Sequence, residues 1–298
     1  MTFIVEIDEK IRLDVYLTAE TEYTRSYIKK LSDEGHILLG GKSVKCGSIL
    51  KSGDVITLTL PPVTQSIEAK DIPIDIIYED DDIAVINKQQ GLTVHPAAGN
   101  YDNTLVNALM FRLKNLSTIN GELRPGIVHR LDKDTSGVMV AAKNNAAHLS
   151  LSQQLAERTV KKYYLGLTDG HFKEPKGTLD TLIGRNPKDR KLMAVTMDGR
   201  RSITDYEVLE SFASHELVKF TLHTGRTHQI RVHAKYAGHP IVGDKAYGRA
   251  DKFGLSGQLL HSQSIMFTHP RTNAELTFTA PLPEYFEKVL AALRGAKG

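Results

Sequence analysis

Arg124-Pro125-Gly126-Ile127-Val128-His129-Arg130-Leu131-Asp132-Lys133-Asp134-Thr135-Ser136-Gly137 gathers one imidazole, two guanidinium groups, two carboxylates and two hydroxyls into fourteen residues. Val138-Met139-Val140-Ala141-Ala142 follows directly, and so apolar a run predicts a strand buried on both faces. A dense polar loop feeding a core strand is where a rigid scaffold presents reactive groups. The remaining sequence has to supply what covers the strand and what the polar groups act on.

Composition sets the outer limits. The chain has 298 residues, 41% hydrophobic and 24% charged, enough for one large domain or two unequal ones with a substantial core. A net charge of +3 is close to neutral, so any nucleic-acid footprint must be local. The single cysteine, Cys46, excludes an internal disulfide and any CxxC zinc site. The N-terminus lacks a basic segment followed by an apolar one, and no apolar run approaches the roughly 20 residues that span a bilayer. The expectation is a cytoplasmic protein with no membrane partner.

Outward from the quoted stretch, the first sixty residues read as a small module. Arg12 to Glu20 has helical spacing, and a second helix starts with Thr24 as N-cap and ends at Gly35. Tyr27, Ile28 and Leu31 share one side of it, and Arg25, Lys29 and Lys30 the remaining arc. Ile37-Leu38-Leu39, Gly40-Gly41 and Lys42-Ser43-Val44-Lys45 predict a hairpin, and Ile56, Leu58 and Leu60 a half-buried strand ending at Pro61-Pro62. Residues 63–71 read as a linker. Beyond it lie strands at Ile74 to Tyr78 and Ile83 to Asn87, around the acidic turn Glu79 to Asp82. Helices follow at Thr104 to Leu113 and Asn145 to Glu157. Strands are expected at Lys162 to Leu167, Ile203 to Leu209, Glu216 to Leu222, Ser264 to Thr268 and Glu275 to Thr279, and a last helix near Pro283. So few βαβ alternations predict an α+β fold on a mixed, mainly antiparallel sheet with flanking helices.

Two further polar clusters join the first: Arg158 to Tyr164, and His223-Thr224-Gly225-Arg226-Thr227-His228-Gln229-Ile230-Arg231-Val232-His233. Five-residue spacing in the latter converges three imidazoles on one ion in neither a strand nor a helix. Asp132 and Asp134 on a strand-like segment would share a face about 7 Å apart, within the range for an inverting glycosidase, yet Lys133 and Arg130 make ion pairing as good an account. Thr135 and Ser136 lack the glycine elbow of a hydrolase nucleophile. Residue chemistry alone therefore leaves a charged, functional loop of undetermined chemistry.

A resemblance goes further. His129 to Gly137 is similar, residue for residue, to the catalytic motif of the RluA-type pseudouridine synthases. The likeness extends through Tyr78-Glu79-Asp80, Asn87-Lys88, Gly91 to Pro96, Lys162-x-Tyr164, Gly225 to His233, Gly243-Asp244 to Tyr247-Gly248, Leu260-His261 and His269-Pro270. Residues Arg12 to Ile56 resemble the S4 RNA-binding domain. The resemblance implies an S4-like (αL-type) RNA-binding domain over 1–62 and a catalytic domain with an active-site cleft over 72–298. The S4-like part narrows the likeness to the branch that modifies large-subunit ribosomal RNA.

It also implies a reaction: uridine in RNA is isomerised by breaking the N1 glycosidic bond, turning the uracil and joining C5 to C1′. Asp132 is the implied essential carboxylate, Arg231 the guanidinium offsetting its desolvation, and Tyr164 the residue against the base. Arg130 is expected to fill the stack that the flipped base vacates, with His129 beside it, and Arg25, Lys29 and Lys30 to contact phosphates. The implied partner is 23S-type ribosomal RNA or the assembling large subunit, met by a monomer without metal, cofactor or nucleotide. Gln89 stands where the family has proline, and Ser262 and Gly166 where it has alanine, none of them expected to touch a catalytic position. The competing readings are a non-catalytic S4-type RNA-binding or ribosome-assembly protein and a metal-dependent hydrolase using His129, Asp132 and Asp134.

Overall fold

Ser136–Ala142 is buried at every residue, because strands flank it and helices cover both its faces. The computed structural model describes residues 1–298 except 8, 22, 61–66, 97–101, 120–123, 250–251 and 297–298. Met139 and Ala141 point to one face, where Leu105, Val106 and Leu109 of the helix Leu105–Arg112 and Ile230 and Ala234 of the helix Gln229–Tyr236 meet them. Val138, Val140 and Ala142 point to the other, against Ala147 and Leu151 of the helix Asn145–Glu157. Each large apolar side chain so buried contributes about 1.5–3 kcal/mol relative to exposure, which fixes the strand's place.

The main sheet of the described residues runs Met193–Val195, Lys176–Arg185, Arg200–Ser211, His215–Leu222, Lys161–Asp169, Leu260–Thr268, Ser136–Ala142, Ile83–Lys88, Asp75–Glu79, with Glu275–Thr279 also on Leu260–Thr268. Its one parallel pairing, His261 with Ser136 and Ser262 with Gly137, makes it mixed and mainly antiparallel, as expected. Gly137 has φ +111°, and a Cβ there would collide with the Ser262 carbonyl. The last residue of the quoted stretch is thus glycine because two backbones meet there.

Before the sheet, the helices Leu13–Glu20 and Arg25–Asp33 and a small sheet, ordered Thr2–Ile4, Val55–Leu58, Ile37–Leu39, Lys42–Ser43, enclose a cluster of their own around Leu13, Leu17, Ile28 and Leu31. Thr24 caps the second helix by accepting from the Tyr27 N–H at 3.3 Å. Gly40-Gly41 makes the two-residue turn between Leu39 and Lys42, both glycines at positive φ. Pro61-Pro62 and residues 63–66 of the expected linker lie outside the described residues. Its end is docked: Ile67 joins the main core, and Lys70 N–H donates to Asn107 O at 3.0 Å. No described helix is long and apolar enough to cross a membrane.

Sequence reading missed Lys176–Arg185 and Met193–Val195 as strands. Lys176–Arg185 alternates exposed with half-buried residues, so it carries no apolar stripe. The helix Gln229–Tyr236 was also unassigned, because the His223–His233 segment is neither one strand nor one helix. A strand ends at Leu222, the chain turns, and the helix begins after His228.

Gly137→Ala should destabilise the protein by about 2–4 kcal/mol through backbone strain and overpacking. Its urea unfolding midpoint, compared with that of a glycine change in open space without a positive φ, Gly295→Ala, checks this.

Candidate active site

Asp132 sits in a turn. Thr135 N–H closes it onto Asp132 O at 3.1 Å, and the next carbonyl, Lys133 O, accepts from Gly91 N–H and from Lys88 Nζ, each at 3.0 Å. Lys88 is fully buried, and its ammonium also donates to Gln89 O and Leu92 O at 2.9 Å, so three carbonyls satisfy its three donors. Burial pulls its pKa down to about 7, against the fields of Asp132 and Asp134. The turn corrects the strand-like reading of this segment. Asp132 faces one cavity while Asp134 lines another, beside Lys88, Gln90 and Tyr285, so the two do not act as a glycosidase pair. Ser136 is no nucleophile facing the cleft. Its hydroxyl is buried against His261 Nδ1 at 2.9 Å and the Tyr285 hydroxyl at 3.0 Å.

Arg231, in the first turns of the helix Gln229–Tyr236, reaches Asp132 from across the sheet. Its Nη1 donates to Asp132 Oδ2 at 3.0 Å, while Nε and Nη2 donate to the two oxygens of Asp244 at 2.6 and 2.8 Å. The guanidinium lies 4.9 Å from the Tyr247 ring centroid. Burial works against its charge, but Asp244 and then Asp132 outweigh that and raise its pKa. Asp244 is 1% exposed and also accepts from the Ala246 and Tyr247 N–H groups, so it is fixed before it meets the arginine.

Tyr164 lies on Lys161–Asp169 where the pairing with Leu260–Thr268 slips: Tyr163 faces Ser264, but Tyr164 faces Ser262. Bulges of this kind re-aim a side chain, and here the tyrosine lines the cleft while keeping 6% exposure in the core cluster. Burial raises its pKa, Asp132 adds to the rise, and a hydrogen bond with Ser262 opposes them. Ser262 therefore does touch a residue of interest, contrary to the expectation from sequence. Its hydroxyl also donates to Val138 O at 3.1 Å.

Asp132, Arg231 and Tyr164 converge on a cleft of about 410 Å³. Arg130, Arg158, Lys162 and Arg226 also line it. Lys162 is half-buried and desolvated, which lowers its pKa, and Arg226 is lowered by burial and by Arg200 and Arg158. Among the described residues none of these four makes an ion pair; Arg130 and Arg158 are exposed, and Lys162 and Arg226 half-buried. Sequence reading had quoted Arg158, Lys162 and Arg226 within its clusters without assigning them. What groups them, a shared cleft with Asp132, exists only in three dimensions.

Of the other residues picked from sequence, Arg130 is exposed at the cleft and forms no pair with Asp134. His129 lines the cleft, yet its Nε2 accepts from Val140 N–H at 3.1 Å, and burial takes its pKa to about 3. It is a neutral ring tied to the core strand. Arg25 is engaged by Asp14 at 2.9 Å, Lys29 by Asp33, and Lys30 by Glu34 at 3.9 Å, so these three sit on the exposed helix arc within local pairs. The three imidazoles of the His223–His233 segment diverge: His223 meets Asp205, His228 meets Tyr247, and His233 lies between Thr181 and Thr204. Asp80, Asp82 and His269 form the one described group with metal-ligand proximity, but Asp80 is engaged by backbone N–H groups and His269, and Asp82 by Arg271.

The model of the RNA pseudouridylate synthase family matches residues 82–236. An uncharacterized RNA pseudouridine synthase of Bacillus subtilis is 44% identical over 95% of this chain and 94% of its own. A ribosomal large subunit pseudouridine synthase D of Xanthomonas campestris is 42% identical over 92% of this chain and 86% of its own. Among solved structures, human RNA pseudouridylate synthase domain containing 1 superposes with a TM-score of 0.59 at 28% identity, covering 79% of this chain and 98% of that one.

Asp244→Ala would leave the buried Arg231 with half its counter-charge and should cost about 3–5 kcal/mol, read by chemical denaturation at neutral pH. Burial also depresses His95, His148 and His233 to about 4 and His129 to about 3. The unfolded chain binds protons at these sites below about pH 6.5 and the folded chain does not. Stability from the four should be complete above that pH and fall progressively as pH drops towards 4, which unfolding at a series of pH values measures.

Proposed function

The chain belongs to the RNA pseudouridylate synthase family and isomerises uridine in RNA, and from that premise we propose that Asp132 is its essential carboxylate, served by Arg231 and Tyr164. The observation that carries this reading is the Arg231–Asp132 bond in a cleft that Arg130, Arg158, Lys162 and Arg226 also line. Attack on C1′ or C6, or removal of the C2′ proton, each needs an ionised carboxylate in a place where the base excludes water. A guanidinium held by a second carboxylate supplies the opposite charge beside it.

Within this reading the uridine leaves its stack to enter the cleft. Arg130, exposed and unpaired at the rim, occupies the vacated space, where a planar guanidinium stacks between bases. Arg158, Lys162 and Arg226 hold the flanking phosphates, giving affinity without sequence choice. Tyr164 packs against the uracil as it turns, its phenol kept protonated by burial. The proton leaving C5 and the proton arriving at N1 balance, so the reaction consumes nothing.

The proposed substrate is large-subunit ribosomal RNA. Support comes from relatives in Xanthomonas campestris and Xylella fastidiosa that bear the name ribosomal large subunit pseudouridine synthase D and match 92% of this chain. The N-terminal residues are read as an S4-like RNA-binding domain, with Arg25, Lys29 and Lys30 exchanging their local carboxylate partners for phosphates at little cost, since exposed pairs are worth only about 0–1 kcal/mol. A protein that only bound RNA would have no use for a buried cation pinned to a cleft carboxylate.

Ribosomal RNA labelled with tritium at uridine C5 should release the label with the wild-type protein. Asp132→Asn should lower release by about 10²- to 10⁴-fold or more while RNA affinity stays within a few-fold. Unchanged release by that variant would remove Asp132 from its assigned role.

A further inference from the structure

We propose that His228 and Asp132 together recognise the ribose 2′-hydroxyl of the target uridine, making His228 a specificity-determining residue. This rests on the uridine-isomerising reading of the same cleft and names a contact within it.

The two oxygens of Asp132 are not equivalent. Oδ2 accepts from Arg231 Nη1 at 3.0 Å. Oδ1 faces His228 Nε2 at 3.9 Å, too far for a direct hydrogen bond. His228 is held there by its backbone and its ring. It has φ +57°, a left-handed conformation that a residue with a Cβ rarely adopts, immediately before the helix Gln229–Tyr236. Its Nδ1 lies 2.8 Å from the Tyr247 hydroxyl, whose oxygen also accepts from Met193 N–H at 2.8 Å. The imidazole is the acceptor that the phenol proton meets among the described residues, so Nδ1 accepts and Nε2 carries the hydrogen. Burial lowers the pKa of His228, which keeps the ring in this neutral form.

An oxygen that only accepts and a nitrogen that only donates, 3.9 Å apart, leave room for one atom about 2.8 Å from each. That atom has to donate to the carboxylate and accept from the imidazole, which describes a hydroxyl oxygen. In a nucleotide inside an RNA chain the 3′ and 5′ oxygens are esterified. Uracil offers its N3–H donor and its carbonyl acceptors on separate atoms. The 2′-hydroxyl is the one group of the target nucleotide that is donor and acceptor at a single atom, and the group that distinguishes RNA from DNA. It also sits on the carbon next to C1′, where the glycosidic bond breaks and re-forms, so holding it places the reacting carbon against Asp132. The arrangement thus couples sugar recognition to alignment of the carboxylate.

The test compares one RNA carrying C5-tritiated uridine at the modified position with the same RNA carrying tritiated 2′-deoxyuridine there. The preference, the ratio of kcat/KM on the two, is measured for the wild type, His228→Leu and His228→Gln. One hydrogen bond to the imidazole predicts a preference that shrinks roughly 10- to 100-fold in His228→Leu and is largely kept in His228→Gln, whose amide still offers an N–H. A preference in His228→Leu equal to that of the wild type overturns the proposal. Should His228→Leu not fold, Tyr247→Phe is read the same way. It keeps the ring beneath Arg231 and removes the group that sets the tautomer, so an unchanged preference there is equally fatal. Absence of wild-type release from the uridine RNA would instead sink the reading of function on which the proposal rests.

Discussion

One buried guanidinium shared by two carboxylates organises this protein. Arg231 spends three hydrogen bonds, two on Asp244 and one on Asp132. A cation so enclosed is tolerable only if its partners are fixed, because a missing partner would leave a desolvated charge. Asp244 is fixed by two backbone N–H groups, and Asp132 by a turn whose next carbonyl is held by the buried ammonium of Lys88. The helix carrying Arg231, the loop carrying Asp244 and the turn carrying Asp132 come from distant parts of the sequence. Their agreement in space depends on the sheet beneath, and the sheet depends on the close approach at Gly137.

The same constraint explains how charge is distributed. A net charge of +3 says almost nothing about nucleic acid. The cleft says more, since Arg130, Arg158, Lys162 and Arg226 line it and none finds a carboxylate among the described residues. Their mutual repulsion is a standing cost that a polyanion removes. The surplus is local and is invisible in the overall balance. His129, sequestered as a neutral acceptor for Val140 N–H, shows that a basic residue type in the same wall need not share that duty.

Much of the fold was legible because its signals are local. The run from Val138 to Ala142 was readable as a doubly covered strand, since burial on both faces demands unbroken apolar sequence. Gly40-Gly41 in a hairpin and Thr24 as a cap were readable for the same reason: each satisfies its own neighbours. Lys176–Arg185 was not, because its half-buried residues gain their cover from distant strands and leave no stripe. The segment from His223 to His233 defeated a single-period reading by changing from strand to helix around one left-handed residue. Ser262 was read as remote from the site, and only a slipped register brings it opposite Tyr164.

The sequence by itself determined the family and its reaction, through several long motifs in order, and with them the three residues that meet in the cleft. Tertiary structure alone decided which neighbours those residues keep: that Arg231 is shared with Asp244, that Asp134 belongs to another cavity, that His129 is neutral and that His228 presents a fixed donor beside Asp132. These depend on distances between segments up to about a hundred positions apart, where burial and hydrogen-bond competition, rather than residue type, settle the outcome.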